Sequence, residues 1–576
     1  MSSFMKVTDE AFRLKLNFSQ ECPIPLQKLT CARQDRAAFQ LIVQSDLQYS
    51  VSIGNDDWYS AKGRLAGPHE RLRVAVESPF SAKLNLEEFV TDDDGILKAD
   101  ILLGQNVRES RANVPTAVWV ELDVPEDAVP GDYSVTVKLY RSGYFEDEVP
   151  VQSQIIPLAV ADYVLPELQD WQFRLDLWQH SSNIARKHDV PLWSDAHFAV
   201  LSQYAASLAA LGQKSITVVA SEIPWRGQSC YEDHEYKGNL FEYSMIRIKR
   251  KKDGSYRYDY SPMQRYIDLC TAAGISGDIE IFGIVNVWDD PKLIEKHPCI
   301  DYPEPIRLRY LDETDGCMKY MRDSKAICDY VRALEQYFIT TGQINRVRIA
   351  ADEPGDIEKY RNSISLLNQL APHFRCKTAI NHAEFIEEFH DYIDDFVPYL
   401  RCTITEYDRL MQYRQQYPEK RFLWYVCCGG ASPNTFLKTP PIECRMIGIL
   451  TSVLRLDGFL RWNYTVWPDD PRHDIRYSAF EAGDTNFVYP ANNGSVLLSL
   501  RYKNLQRGIA DYELLERLRK KCGDDTVMEV LQNVLHTTDV HDFWHDEGLL
   551  PSEKLFSLNW ADYNEAKTEI LRRLAE

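Results

Sequence analysis

The chain has 576 residues, of which 44% are hydrophobic and 26% charged, the ordinary mix of a folded protein. Its 65 Lys and Arg face 86 Asp and Glu, and the formal net charge of −21 argues against binding nucleic acid or an anionic membrane through the overall field. No run approaches the ~20 apolar residues of a bilayer span, and the first residues lack the apolar core of a signal peptide. We therefore expect a cytoplasmic protein with neither nucleic acid nor membrane as a partner.

The first 165 residues predict β-structure, because short apolar runs are separated by turn signals such as Pro130-Gly131-Asp132. Val135, Val137 and Leu139 alternate with polar residues, which is typical of a half-buried strand. Many short strands with frequent turns predict a β-sandwich over residues 1–165, in which no cluster of ionisable groups stands out. The apolar runs are Ala38–Val43, Arg71–Val76, Ala117–Leu122 and Tyr133–Leu139.

From residue 166 onward, apolar runs alternate with long helical patterns. Eight such alternations predict a (β/α)8 TIM-like barrel over residues 166–494. Residues 495–576 are expected to form a helical segment that packs on the barrel, so the fold class is multidomain α and β. The predicted barrel strands are Trp171–Leu177, Ser215–Ala220, Asp278–Val285, Arg346–Ala351, Arg375–Ile380, Tyr399–Ile404, Phe422–Cys427 and Gly458–Trp462.

Two adjacent carboxylates, Asp352 and Glu353, follow the fourth predicted strand directly. Active sites of such barrels lie at the carboxyl ends of the strands, so this pair is expected on the barrel rim. Pro354 disfavours helical geometry at Glu353 and predicts an extended backbone there, with Asp356 capping the next helix. The alternative is a solvated Asp-Glu pair in a loop.

Aromatic, amide and acidic residues follow the other predicted strands as well. Aromatic faces pack on the C–H side of a pyranose ring while acids and amides bond its hydroxyls, so this set suits a sugar; alternatively, the aromatics plug the barrel mouth. These residues are Asp176, Trp178 and His180, Asn286 and Trp288–Asp290, Asn381 and His382, Glu406 and Tyr407, Trp424 and Tyr425, and Trp462, Asn463 and Trp467.

Signals for other chemistry are weak. His180 and His473 have no partners at ligand spacing, and no Gly-x-Ser-x-Gly elbow is present, so neither a metal site nor a serine hydrolase is indicated and no cofactor is expected. The basic run Arg247–Lys252 is interpreted as a solvated loop, with an anionic-ligand contact as the alternative. The 13 scattered cysteines predict reduced, mostly buried thiols, and Cys427 and Cys428 are too close for ordinary disulfide geometry.

Several ordered motifs resemble glycoside hydrolase family 123, the β-N-acetylgalactosaminidases. Ala351–Pro354 looks like the catalytic Asp-Glu pair of that family, and the resemblance spans most of the chain. The other motifs are Ala117–Pro125 with Pro130–Tyr133, Trp424–Cys427, Arg461–Asn463 with Trp467, Gly483–Thr485 with Val488–Pro490, and Arg507–Glu513.

The resemblance implies a retaining, substrate-assisted mechanism, in which the substrate's own 2-acetamido oxygen attacks the anomeric carbon. It assigns Glu353 as general acid/base and Asp352 as the carboxylate that orients the acetamido N–H, and an ionised Asp352 would raise the pKa of Glu353. A tyrosine, Tyr407 or Tyr425, is expected on the acetamido oxygen. The residues expected to contact substrate are Trp178, His382, Tyr407, Trp424, Tyr425, Trp462, Asn463, Trp467 and Asp484.

The leading hypothesis is therefore an exo-glycosidase that releases terminal β-linked N-acetylgalactosamine from a glycan or glycoconjugate. One alternative is a β-hexosaminidase that prefers N-acetylglucosamine, because no motif here reads O4 of the sugar. The other alternative is a non-catalytic carbohydrate-binding protein on the same scaffold, against which the paired acids argue. The sequence leaves the oligomeric state open.

Overall fold

The computed structural model describes residues 3–16, 23–54, 69–143, 146–223, 241–285, 306–477, 480–545 and 548–576. The amino-terminal part of this described chain forms two six-stranded sheets, of order β1-β4-β10-β7-β8-β2 and β3-β12-β11-β6-β5-β9. Their strands are β1 (Phe4–Asp9), β2 (Lys15–Leu16), β3 (Leu29–Arg33), β4 (Asp35–Gln44), β5 (Gln48–Ser52), β6 (His69–Glu77), β7 (Ser81–Thr91), β8 (Leu97–Leu102), β9 (Val107–Ser110), β10 (Thr116–Val124), β11 (Gly131–Ser142) and β12 (Val149–Val164).

The predicted alternation in this region is present in β11, where Val135, Val137 and Leu139 are fully buried. Apolar residues of both sheets belong to one continuous core, among them Phe39 and Val120 of the first sheet and Val137 of the second. The amino-terminal region is therefore built from two sheets that share a hydrophobic core.

A second group of strands follows in the described chain. Eight of them form one parallel sheet of order β13-β24-β23-β22-β21-β20-β17-β14. The strands are β13 (Arg174–Leu177), β14 (Ser215–Val219), β15 (Arg247–Arg250), β16 (Tyr256–Asp259), β17 (Asp278–Phe282), β18 (Arg309–Asp312), β19 (Met318–Tyr320), β20 (Val347–Asp352), β21 (Arg375–Ile380), β22 (Ile393–Pro398), β23 (Arg421–Tyr425), β24 (Gly458–Arg461), β25 (Tyr489–Pro490) and β26 (Val496–Leu497).

The parallel sheet curls into a nearly closed barrel, because its two edge strands β13 and β14 also meet. The Lys214 amide donates to the carbonyl of Leu175 at 2.9 Å. Gln179 extends the seam, since its side-chain oxygen accepts from the Thr217 amide at 2.8 Å and its own amide donates to the Thr217 hydroxyl at 3.1 Å. The (β/α)8 TIM-like prediction is thus supported at the level of an eight-stranded parallel barrel.

Helices connect the barrel strands and form the carboxyl-terminal segment. They are α1 (Ser181–Lys187), α2 (Asp195–Leu211), α3 (Ser261–Ala272), α4 (Ser324–Thr340), α5 (Ile357–Leu370), α6 (Glu384–Phe389), α7 (Leu400–Thr405), α8 (Tyr407–Gln416), α9 (Ile442–Val453), α10 (Leu500–Cys522), α11 (Asp524–Val530), α12 (Ser552–Leu555) and α13 (Trp560–Ala575). Helices α9 and α10 approach closely at two glycines: a Cβ on Gly448 would lie 1.9 Å from the carbonyl oxygen of Gly508.

The sixth barrel strand was predicted at the wrong place. Seven predicted strands overlap observed ones, but Tyr399–Ile404 is largely helix α7, and the strand is β22. Asp394 and Asp395 make β22 look polar in the sequence. Asp395 points into the barrel, where it pairs with Arg348 at 2.9 Å and with Arg421. Such a buried ion-pair layer makes a core strand look polar in sequence.

The basic run Arg247–Lys252 was also misassigned as a solvated loop. Residues 247–250 form β15, which pairs with β16 and β18 in a separate four-stranded sheet. Ile248 is buried while the neighbouring Arg247 and Lys249 are exposed, so the cations line one face of a strand.

The barrel interior is layered below its mouth. Lys377 forms hydrogen bonds with Asp176 and, at 2.6 Å, with Glu280, and all three side chains are buried. Burial and the charge of Asp176 raise the pKa of Glu280 to about 7, so two acids share one lysine. Above them an apolar layer forms the floor of the mouth, with Val219, Phe282, Ala350, Ala379, Val397, Leu423 and Leu460 as members.

Buried ion pairs join α10 to the amino-terminal sheets. Arg501 contacts Asp100 of β8 at 3.0 Å, and Lys503 contacts Glu121 of β10 at 2.9 Å. Arg507 contacts Glu10 at 2.8 Å and also Glu121. The sequence showed no ionisable cluster in residues 1–165 because these carboxylates are far apart in the chain and their cations lie in α10.

Candidate active site

The acidic pair lies where the barrel sequence predicts it. Strand β20 ends at Asp352, which is paired with Ala379 of β21, and the Glu353 amide donates to the Ala379 carbonyl at 3.0 Å. Asp356 then caps α5 by accepting from the amides of Glu358 and Lys359. Asp352 is only 8% exposed whereas Glu353 is exposed, so the two carboxyls occupy different environments.

The backbone at Glu353 is not extended as Pro354 led us to expect. Its φ of 45° lies in the left-handed region, because the chain leaves the barrel wall directly after the last ladder hydrogen bond. A non-glycine residue held in that region costs of order 1–3 kcal/mol and is typical of functional sites.

Burial and the neighbouring charge of Glu353 raise the pKa of Asp352 well above its usual range. The prediction concerned the pKa of Glu353; the group whose pKa the structure raises is the buried Asp352. A partner that brings an N–H donor or positive charge to Asp352 would favour its ionised form.

Tyr425 connects the pair to the neighbouring strands. Its hydroxyl hydrogen-bonds to the Glu353 carboxylate and lies 3.1 Å from the side-chain oxygen of Asn381. Burial, with the charge of Glu353, raises the pKa of the Tyr425 phenol well above its usual range. Tyr425 is therefore a neutral hydrogen-bond donor that positions Glu353.

Two of the predicted tryptophans lie at the mouth. Trp178 and Trp462 belong with Tyr425 to one apolar cluster, and Trp178 meets Phe282 edge to face at 4.9 Å. The Trp462 indole N–H donates to Asp484 at 3.1 Å, and Asp484 also accepts from Arg461. Asp484 thus orients the Trp462 ring.

Three further residues shape the surroundings. Asn463 is buried and its side-chain oxygen accepts from the amides of Thr465 and Val466, which holds the loop after β24. His382 stands on the rim, more than half exposed, with Nδ1 3.8 Å from Glu384. His180 is buried with Nε2 3.1 Å from the Trp462 carbonyl, and burial lowers its pKa to about 4.

The structure does not bring Trp424, Trp467 or Tyr407 to the mouth. Tyr425 faces the barrel interior, so Trp424 before it faces α9, where its indole donates to Thr451 at 2.7 Å. The Trp467 indole donates to the Val488 carbonyl at 2.8 Å. Tyr407 is the first residue of α8, and its hydroxyl lies 3.4 Å from the Leu454 carbonyl. It does not reach the mouth because no barrel strand directly precedes it.

Two aromatic residues at the mouth were missed. The Tyr399 ring lies 5.2 Å from Tyr425, and the Trp544 ring lies 5.6 Å from Tyr399. Tyr399 directly follows β22, so correct placement of that strand would have found it. Trp544 comes from the carboxyl-terminal segment, and no local pattern marks it. The predicted strand-end residues Asn286 and Trp288–Asp290 lie outside the described residues.

In the described part of the chain, no three His, Cys, Asp or Glu side chains are grouped so that they could hold a metal ion. Among the helices described, none has the length and apolar character needed to cross a bilayer.

Comparison with protein families identifies the chain. The protein-family model described as glycoside hydrolase 123, catalytic domain, matches residues 178–518, which is more than half of the sequence. The chain belongs to glycoside hydrolase family 123. Asp352 and Glu353 lie inside the matched region, so this family 123 barrel is a glycoside hydrolase domain.

A solved structure shares the fold of this family 123 protein. A family 123 glycoside hydrolase from Clostridium perfringens, described in a study of glycolipid glycan hydrolysis, superposes with a TM-score of 0.75 at 16% identity, covering 100% of this chain and 97% of that one. A putative glycoside hydrolase from Bacteroides vulgatus reaches a TM-score of 0.32 at 9% identity, covering 86% and 79%. Among curated proteins, none matches by sequence.

Proposed function

We propose that this protein is a retaining exo-glycosidase that releases terminal β-linked N-acetylgalactosamine by substrate-assisted catalysis. The observation that carries the proposal is the adjacent pair at the end of β20, in which Asp352 is buried and Glu353 exposed. The Clostridium perfringens relative acts on glycolipid glycans, which supports a glycoconjugate as the substrate class.

Adjacency of the two acids favours a nucleophile that the substrate supplies. Two-carboxylate glycosidases flank the scissile bond with groups about 5–5.5 Å apart when retaining and about 6.5–9.5 Å apart when inverting. Neighbouring residues at one strand end approach the sugar from one side. In the proposed reaction the acetamido oxygen attacks the anomeric carbon, which forms an oxazolinium ion and expels the aglycone oxygen.

The two acids then have separate roles. The exposed Glu353 protonates the leaving oxygen and afterwards takes a proton from the water that opens the oxazoline. Asp352 accepts the acetamido N–H, and this contact together with the developing positive charge favours its ionised form, which in turn stabilises the intermediate. The raised pKa of Asp352 therefore falls as substrate binds.

The surrounding side chains complete the proposed subsite. Tyr425 is our candidate for the hydroxyl that reaches the acetamido oxygen: its single proton, donated to Glu353 in the structure, turns to that oxygen when substrate binds. Trp462 and Trp178 form the proposed sugar platform, with Asp484 holding Trp462. His382, exposed at the rim, is our candidate for contact with a sugar hydroxyl. We also infer that the two amino-terminal sheets form a β-sandwich, since they share a core.

The test compares nitrophenyl β-glycosides of three sugars: N-acetylgalactosamine, N-acetylglucosamine and galactose. We expect turnover of the first, less of the second and essentially none of the third, which has no acetamido group. Equal turnover of the galactoside would contradict the mechanism, and preference for the glucosamine would favour the hexosaminidase alternative. Binding without turnover of any of them would identify a carbohydrate-binding protein.

A mimic of the intermediate gives a second test. A galacto-configured thiazoline resembles the oxazoline and should inhibit far more strongly than free N-acetylgalactosamine, because enzymes bind transition-state-like species more tightly than substrates. Equal inhibition by the two compounds would contradict acetamido participation.

A further inference from the structure

Two adjacent thiols lie at the rim of the candidate site. Strand β23 ends at Tyr425, and Cys427 and Cys428 follow two residues later with their sulfur atoms 3.9 Å apart. Cys427 packs against the apolar cluster that contains Tyr425 and Trp462, whereas Cys428 is exposed. Both are free thiols, so one sulfur faces the mouth and the other faces solvent.

The pair is poorly suited to a direct disulfide. Neighbouring Cα atoms are about 3.8 Å apart, whereas disulfides usually join Cα atoms about 4.4–6.8 Å apart. A single atom inserted between the two sulfurs relieves this constraint, because no S–S bond has to form. Soft, thiophilic centres are the natural partners of such a dithiol.

The electrostatics of the pair favour reaction. Contact between the thiols lowers the pKa of Cys428 and raises that of Cys427. The exposed member is therefore the one that ionises first and attacks, since the thiolate is the nucleophile. The partly buried Cys427 then delivers the second sulfur without leaving its place.

We propose that Cys427 and Cys428 form a dithiol site for trivalent arsenicals of the form R–As=O, and that its occupation blocks glycoside hydrolysis. Two As–S bonds form, the two S–H protons combine with the arsenical oxygen as water, and arsenic stays trivalent. The binding part stands on the two thiols alone, whereas the blocking part rests on the proposed function.

The proposed block of glycoside hydrolysis follows from the fixed position of Cys427 beside the mouth. Its carbonyl accepts from the Gly429 amide at 2.8 Å and from the Asn434 side chain at 3.2 Å, so its backbone cannot swing away from the mouth. Its sulfur packs on the cluster around Tyr425. An organic group on the bridging arsenic is therefore brought against the residues that surround Glu353.

The experiment titrates the full chain with phenylarsine oxide. Hydrolysis of the nitrophenyl N-acetylgalactosaminide is followed, and the modified peptide is mapped by mass spectrometry. We expect one phenylarsenic group on the Cys427–Cys428 peptide with loss of one water, parallel loss of activity, and recovery with a dithiol but not with the same concentration of a monothiol.

We expect Cys428→Ser to keep the fold and the activity, because Cys428 is exposed, but to lose the two-sulfur chelate. Since the second bond of a chelate is effectively intramolecular, single-thiol binding should weaken by roughly 100-fold. Cys317→Ser, which removes an exposed cysteine of the β18–β19 turn, should keep parent sensitivity.

The outcomes separate the two parts of the proposal. An adduct elsewhere, or unchanged sensitivity of Cys428→Ser, would overturn the site. An adduct on the pair with full activity would overturn the blocking effect. If the parent hydrolyses no glycoside, the proposed function fails, and peptide mapping still decides the site.

Discussion

At the scale of single residues, Glu353 and Asp352 differ in exposure although they are neighbours, and their replacements should differ accordingly. Glu353→Gln keeps the shape of the side chain but has no proton to give. We expect turnover of an unactivated disaccharide to fall by ~10²–10⁴-fold, and turnover of a nitrophenyl glycoside by less, since that leaving group needs little protonation. Glu358→Gln, an exposed acid on α5, is the control, and equal activity of Glu353→Gln and parent on the disaccharide would refute the assignment.

Asp352→Asn should weaken catalysis without weakening the fold. Loss of the negative charge beside the oxazolinium ion is expected to cost ~2.7–4 kcal/mol of transition-state stabilisation, measured as kcat/KM. Because burial raises the pKa of Asp352, its ionised form destabilises the empty protein increasingly as pH rises above the usual range of an aspartate. The melting temperature of the variant should therefore match or exceed that of the parent; formation of an inverted glycosyl azide by the variant would show Asp352 to be a nucleophile.

Tyr425→Phe tests the hydroxyl that holds Glu353. A hydrogen bond to a charged group is worth about 1.5–3 kcal/mol, so we expect kcat to fall by roughly 10- to 100-fold while the ring keeps its packing. Tyr399→Phe is the matched control, because Tyr399 contacts the Tyr425 ring and makes no hydrogen bond to Glu353 in the described structure. Equal loss in both variants would show that only packing matters.

At the residue scale, sequence predicted the position of a side chain correctly where it placed the strand end correctly, while the roles of these residues stay predictions. Asp352, Glu353, Tyr425 and Trp462 lie at the mouth because their strands were found. The error at Trp424 has a simple cause, since side chains alternate along a strand and Trp424 and Tyr425 cannot both face the interior. Trp467 lies beyond the strand end, where sequence gives no orientation.

At the scale of elements, most of the barrel was predictable, because fully buried parallel strands are continuous apolar runs. Strand β22 broke this pattern by burying Asp395 between arginines, and Leu400–Thr405, which looks like a strand by its β-branched residues, is helical in its tertiary context. The single error removed Tyr399 from the predicted site and added Tyr407.

The carboxyl-terminal segment contributes an element to the mouth that barrel reasoning omits. Trp544 is half-buried and meets Tyr399 edge to face. We expect Trp544→Ala to raise KM several-fold for an oligosaccharide that extends beyond the cleaved bond, since an aromatic contact is worth about 0.5–1.5 kcal/mol. KM for the compact nitrophenyl glycoside should stay unchanged. Trp544→Phe, which keeps an aromatic ring, should raise KM for the oligosaccharide much less than Trp544→Ala does. Equal increases for both substrates would contradict an aglycone contact.

At the scale of the whole molecule, a buried acid far from the mouth makes the stability of the fold depend on pH. Glu87 of β7 is fully buried, neither carboxyl oxygen has a hydrogen-bond partner in the described structure, and burial raises its pKa to about 8. A raised pKa in the folded state means that stability is full below the ordinary value of 4.5 and is lost as pH rises towards 8.

Glu87→Gln should remove this pH dependence. The amide mimics the protonated acid, so its melting temperature should equal that of the parent near pH 4.5 and exceed it near pH 8, with each unit of pKa shift worth about 1.4 kcal/mol. Glu109→Gln, on the exposed face of β9, should follow the parent at every pH. A parent-like curve for Glu87→Gln would show that the carboxyl is solvated in solution.

The ion pairs of α10 determine which parts of this chain must stay together when its gene is fused to another. Arg501, Lys503 and Arg507 lie within the family-matched region 178–518, but Asp100, Glu121 and Glu10 lie outside it. A gene fusion that carried only the matched region would lose these anions together with the sheets that bury the pairs, and it would expose the face of α10 on which Leu500 lies in one apolar cluster with Trp119. The barrel therefore depends on the amino-terminal sheets, and a recombination event that moves the barrel into another protein must move these sheets with it.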